Sequence, residues 1–298
     1  MHCQTSERLN RIRGQLTLAA LGALLLSPIT ASAAPAHPWA TTGNADTVAT
    51  RFETPKGYVR SSLPEGSFGV WLRALPLLPG TPAVKLFDGS LKVNQTAQAA
   101  VIDIDVGSRD LQQCADAVMR LRAEYLRAAA KDQQICFRFS DGTDAVWSDW
   151  QEGYRARAQG KRMVFERSAG KDASYASFRK YLNVVFSYAG TMSLQNELQR
   201  APDTKTILPG DVFIKGGFPG HAVIVLDVAE RSDGDRIFLL AQSYMPAQQI
   251  HVLKNPNNSA PWYHISKDEP LLTPEWQFAA GTLSRFPDRK CSSARQSK

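Results

Sequence analysis

Three β-rich segments, residues 211–215, 222–228 and 237–242, follow one another with only Gly, Asp and Pro turns between them. Connections this short join antiparallel strands, since a parallel crossover consumes about a dozen residues or more. The carboxyl third is therefore expected to form an antiparallel sheet. Upstream lies the longest helical pattern of the chain, residues 110–131, in which Leu111, Ala115, Val118, Leu121 and Leu126 recur at three- and four-residue steps. Asp110 is the expected N-cap, with Gln113 completing a capping-box pattern, which places Cys114 in the first turn. Further helices are expected over 145–159, 175–188 and 193–200, a short one over 67–75, and a strand over 134–139. Asp88-Gly89 signals a hairpin between 83–87 and 90–93. The predicted class is α+β, with helices packed on an antiparallel sheet in a single domain over residues 51–288.

Residues 1–33 carry Arg8, Arg11 and Arg13, then the apolar run 16–26, then Ala31-Ser32-Ala33. That order is a secretory signal peptide cleaved after Ala33, and the run is shorter than the roughly 20 residues a spanning helix needs. Export to the periplasm or beyond is expected, with no membrane span in the mature chain. Residues 34–50 read as a leader and 289–298 as a frayed, polar tail. Lys and Arg exceed Asp and Glu by 7, yet no basic run is interleaved with aromatics and no zinc-finger spacing occurs, so nucleic acid is not an expected partner. His251 and His264 lack neighbours at metal-ligand spacing, so neither metal nor cofactor is expected.

Cys3 leaves with the signal and Cys291 lies in the tail, which leaves Cys114 and Cys136 in the body. In an oxidising compartment these two are able to pair as a disulfide, in direct competition with a reactive role for Cys114.

The most informative stretch runs from Leu208-Pro209-Gly210-Asp211 through a Gly-rich loop (Gly216, Gly217, Gly220) to His221, which opens an apolar strand. A His at a strand mouth beside glycines is accessible to substrate. Together with a Cys near a helix start, this arrangement resembles the papain-like cell-wall hydrolases of the NlpC/P60 and CHAP groups. The resemblance implies a papain-like core in which Cys114 is the nucleophile, His221 the base and Gln242 the residue that orients the imidazole. A hairpin centred on Asp233-Gly234 independently puts Gln242 on the His221 face of the sheet and turns Ser243 away. Its tightest form pairs Gln242 with Val225, whereas a looser register brings it diagonal to His221. Helix-start amides and a nearby imidazolium are expected to favour the thiolate, and Gln112 or Gln113 to add a donor for an oxyanion.

Around such a groove Gln113, Arg120, Gly220 and Ser243 are the candidate binding residues, with Arg120 placed to receive a substrate carboxylate. Asp103 and Asp105 share a strand face and form a possible acid/base pair, while Trp147, Trp150 and Tyr154 offer a surface for stacking a sugar or packing a core. A second resemblance spans most of the mature chain. Gln112-Gln113-Cys114-Ala115-Asp116-Ala117, the run 120–125, Tyr188-Ala189-Gly190-Thr191, Pro209-Gly210-Asp211, Gly220-His221-Ala222 and the run 241–248 are similar to the bacterial family of domain of unknown function 4846. That resemblance brings no reaction with it. The expected function is a cysteine amidase or peptidase acting on cell-wall peptides, the alternative a non-catalytic envelope protein binding a wall glycan or peptide in the same groove.

Overall fold

The computed structural model describes residues 37–39, 46–201, 203–266, 268–288 and 290–293. The expected signal over 1–33 lies outside them, as do residues 294–298 of the tail. No described helix is long and apolar enough to cross a membrane.

The described helices are α1 (Val48–Arg51), α2 (Phe68–Arg73), α3 (Cys114–Ala128), α4 (Trp147–Gln151), α5 (Tyr175–Tyr188) and α6 (Thr191–Glu197). Ser67 caps α2 and Ser174 caps α5, each side chain accepting from an amide three residues on. The cap of α3 differs from expectation. Asp110 is drawn away, because its Oδ1 accepts from the Ala247 amide at 2.7 Å and from Gln113 Nε2 at 2.9 Å. The helix therefore starts later, with Gln113 at the N-cap and the Asp116 carboxylate accepting from the Gln113 amide at 3.1 Å. Cys114 becomes the first helical residue.

The strands are β1 (Val59–Arg60), β2 (Gln98–Val101), a hairpin of β3 (Cys136–Arg138) and β4 (Asp144–Val146), a second hairpin of β5 (Tyr154–Gln159) and β6 (Arg162–Arg167), then β7 (Gln199–Arg200), β8 (Val212–Lys215), β9 (His221–Glu230), β10 (Arg236–Gln242), β11 (His251–Leu253), the short pair β12 (Leu271–Leu272) and β13 (Gln277–Phe278), and β14 (Leu283–Arg285). The helix expected over 145–159 is thus only five residues of α4 between two strands. Gly153 ends it at φ 96°, where an added Cβ would lie 2.1 Å from the Ala169 carbonyl oxygen. Trp147 and Trp150 are buried against Tyr181, so they pack the core and offer no stacking surface.

The main sheet runs β2-β11-β10-β9-β8-β14-β7, with β1 also on β9, and its pairings are antiparallel. Alternation along β9 and β10 sends Ala222, Ile224, Leu226, Leu239 and Ala241 into one core with α2, α3 and α5. Val223, Val225, Phe238 and Leu240 enter a second core beneath Leu271, Phe278 and Leu283. Between Leu239 and Leu240 the register slips, Leu239 facing Asp227 and Leu240 facing Val225. This bulge, with Leu226 as the extra residue, turns Asp227 toward the helices, where it accepts from Arg60 Nε at 2.7 Å and from Arg73 Nε.

The cysteine pairing also departs from expectation. Cys136 is bonded to Cys291, and Cys114 is free. The Cys291 amide donates to the Gln133 carbonyl at 3.0 Å, so the chain beyond the last strand folds back onto the 132–136 segment instead of fraying there. The body likewise reaches into the stretch read as a leader, since Val48 is buried and the His37 ring lies 4.7 Å from Trp71.

Candidate active site

Helix α3 packs across β9, and its Ala115, Val118 and Leu121 share one core with Ala222 and Ile224 of the strand. This crossing sets the first residue of the helix, Cys114, over the first residue of the strand, His221. Both line one cavity of about 330 Å³, together with Gln113, Gly220, Tyr244 and Trp276. Among the described residues no hydrogen bond joins the sulfur to the imidazole, and the two residues line the same space.

The electrostatics reverse the thiolate expectation. Burial, and then the charge of Asp116, push the Cys114 thiol up to about 11, against the opposing pull of the Ala115 and Ala222 amides. Asp116 is itself held well above the usual carboxylate range by burial, and its Oδ1 has no partner. The Asp116 charge acts on the sulfur from within the same first turn of α3. Asp116→Asn keeps an oxygen for the Gln113 amide and removes that charge. The pH profile for iodoacetamide modification of Cys114 is expected to move to lower pH, with several-fold faster labelling at pH 9; an unmoved profile would show that the Asp116 charge does not act on the sulfur.

His221 is buried, not open at the strand mouth as expected, because the sheet and the rings around it cover the imidazole. Desolvation lowers it to about 4, with the Gln242 hydrogen bond and the Glu275 charge pulling upward. At neutral pH the pair rests as thiol and neutral imidazole. His221 Nε2 lies 2.9 Å from Gln242 Oε1, and Nδ1 makes no hydrogen bond among the described residues. The placement of Gln242 on the His221 face arises differently from the expected turn. The hairpin pairs Arg236 with Glu230, which would put Gln242 on the opposite face; the bulge then shifts the register so that Ala241 faces Ile224. Gln242 consequently falls beyond that pair, opposite Val223 and diagonal to His221.

The remaining candidates separate cleanly. Gln112 turns inward, its Oε1 accepting from Arg120 at 2.7 Å, so Gln113 is the amide that faces the cavity. Gly220 is required by space, since a Cβ there would lie 2.3 Å from the Gly217 oxygen and 2.4 Å from Thr191 Oγ1. Ser243 is no binding residue. It is buried, with Oγ 2.8 Å from the carbonyl oxygens of both Gln112 and Gln248, and ties the end of β10 to the segment that presents Cys114. Arg120 is likewise no carboxylate receptor: it is fully buried, donating to Glu124 at 2.6 Å and to Asp105 at 3.2 Å. Arg179 also holds Asp105, at 3.0 Å, so Asp103 and Asp105 do not form an acid/base pair. Sequence reasoning missed Tyr244, Trp276 and Glu275, which reach His221 or its partner from loops. Tyr244 and Trp276 ring centroids lie 4.8 and 5.3 Å from the imidazole, contacts that no local pattern announces.

The sequence model of the family described as Domain of unknown function (4846) matches residues 48–285. No curated protein and no solved structure matches the chain.

Proposed function

We propose, from the premise that this chain belongs to the family of domain of unknown function 4846, that it is a papain-like cysteine amidase or peptidase acting on cell-wall peptides outside the cytoplasm. One observation carries the reading: a free cysteine at a helix start and a histidine at a strand start line the same cavity, and the histidine is held through Nε2 with Nδ1 left open. The Cys136–Cys291 disulfide supports an oxidising, exported setting.

In the proposed reaction Cys114 Sγ attacks the scissile amide carbon while His221 Nδ1 takes the thiol proton, so that the S–C bond forms as the sulfur loses hydrogen. The developing oxyanion accepts from the Cys114 amide and from the second hydrogen of Gln113 Nε2, whose first is given to Asp110. The imidazolium passes its proton to the departing nitrogen as the C–N bond breaks. Water, deprotonated by His221 Nδ1, then attacks the thioester carbon; the C–S bond breaks, the carboxylic acid leaves, and the imidazolium returns its proton to the sulfur.

The test is digestion of purified wall peptides by the native protein and by protein carboxamidomethylated at pH 9.5, with new amino groups counted. Release by the native form and loss on blocking is the expected result; equal release, or none from either, overturns the proposal. A second reading, a non-catalytic binder of the same peptides, is favoured by the raised thiol and by the missing sulfur–imidazole hydrogen bond. It predicts peptide binding without release.

A further inference from the structure

We propose that Glu275 and His251 are positioning residues that hold the Gln242 amide in one orientation and thereby fix His221 as the tautomer protonated on Nε2, with the lone pair on Nδ1. The chemical use of that lone pair rests on the function proposed above; the tautomer does not.

Gln242 Nε2 lies 2.7 Å from Glu275 Oε2. The Glu275 carboxylate accepts from Lys92 Nζ at 2.6 and 2.7 Å and from Asn94 Nδ2 at 3.0 Å. A carboxylate so placed only accepts, so the Gln242 end that meets it is the NH₂ end. The oxygen end then faces His221, and an amide oxygen 2.9 Å from a ring nitrogen requires that nitrogen to carry the hydrogen.

His251 gives the same answer independently. It sits directly across from Gln242 in the β10–β11 register, and its Nδ1 lies 3.0 Å from the Gln249 carbonyl oxygen. That nitrogen must donate, and burial keeps the ring neutral by lowering it to about 4, so its Nε2 is an acceptor. Gln242 Nε2 is 3.4 Å away and supplies its second hydrogen. Reversing the Gln242 amide would aim its oxygen at a carboxylate and at an unprotonated ring nitrogen at once.

The arrangement is built for this. Glu275 stands in the 273–276 turn, closed by hydrogen bonds between Thr273 and Trp276, the same turn that sets Trp276 beside His221. Lys92 is buried and spends its charge on Glu275, so the carboxylate directs the amide without standing as an unpaired anion beside the imidazole.

Nitrogen-15 histidine labelling with long-range proton–nitrogen spectra reads the tautomer without any substrate, the His221 signals being assigned by their absence in His221→Asn. The native protein is expected to show His221 protonated on Nε2. In Glu275→Gln a second amide competes for the NH₂ end of Gln242, and the population protonated on Nδ1 is expected to rise. A native His221 protonated on Nδ1, or a tautomer unmoved by Glu275→Gln, overturns the inference. The native measurement decides even if the variant does not fold. Wall peptides left intact by a protein with the stated tautomer would overturn the proposed function and leave this inference standing.

Discussion

Replacement of Cys114 by Ala is expected to lower hydrolysis of wall peptides by about 10⁴-fold or more, as removal of a nucleophile that acts in concert with its base does elsewhere. The fold should survive the change. Cys114 is not in the disulfide, and its neighbours in α3 are anchored by Ala115, Val118 and Leu121 in the core, so the far-ultraviolet circular dichroism of the variant should match the native protein. The pH dependence carries further information. With the imidazole lowered to about 4 and the thiol raised to about 11, the neutral pair persists through the whole neutral range. The rate is therefore expected to be flat there, falling only as pH drops toward 4, where a protonated Nδ1 no longer accepts the thiol proton. A limb near neutral pH would point to an imidazolium–thiolate pair and sink the neutral one. Peptide cleavage undiminished in Cys114→Ala would remove the nucleophile assignment altogether.

The second large effect is on stability. Asp227 has no exposed side-chain surface and holds Arg60 and Arg73, which are only 27% and 15% exposed. Arg60 also donates to the carbonyls of Ala49 and Phe52, and Arg73 to those of Ser61 and Val228. One carboxylate thus pins α1, α2 and β1 to the middle of β9. Asp227→Ala leaves two guanidinium groups partly buried without their anion, at a cost of about 3–5 kcal/mol, with the lower end favoured because water reaches both arginines. Urea unfolding followed by tryptophan fluorescence measures it. A loss below about 1 kcal/mol would mean that the cluster behaves as an ordinary surface pair.

Periodicity made much of the frame legible. The strands expected at 211–215, 222–228 and 237–242 appear as β8, β9 and β10, and the helix expected over 175–188 is α5, because each carries its own apolar repeat and its own turn signals. The failures were local patterns overruled from a distance. Trp147, Trp150 and Tyr154 read as one helix until Gly153 and the Ala169 carbonyl divide them. Asp110 reads as a cap until the Ala247 amide takes its carboxylate. Cys136 has its partner 155 residues away, a distance at which spacing alone carries no preference.

At the site the division is sharper. Residue chemistry together with the resemblance to papain-like hydrolases singled out Cys114, His221, Gln113 and Gln242, since a thiol, an imidazole and amides beside glycines are scarce enough to stand out in a line of letters. It equally singled out Arg120 and Ser243, which the fold buries for structural work. Which face Gln242 occupies could not be read from the turn, because strand parity depends on a bulge at Leu226 whose surroundings include the Asp227 carboxylate and arginines drawn from residues 60 and 73. The sequence by itself determined the alternation, the turns and the reactive groups, all of which are set by contacts within a few residues. Only the tertiary structure decided the register, the disulfide and the burial that hold the thiol and imidazole neutral, because each depends on segments that meet only after the chain has closed on itself.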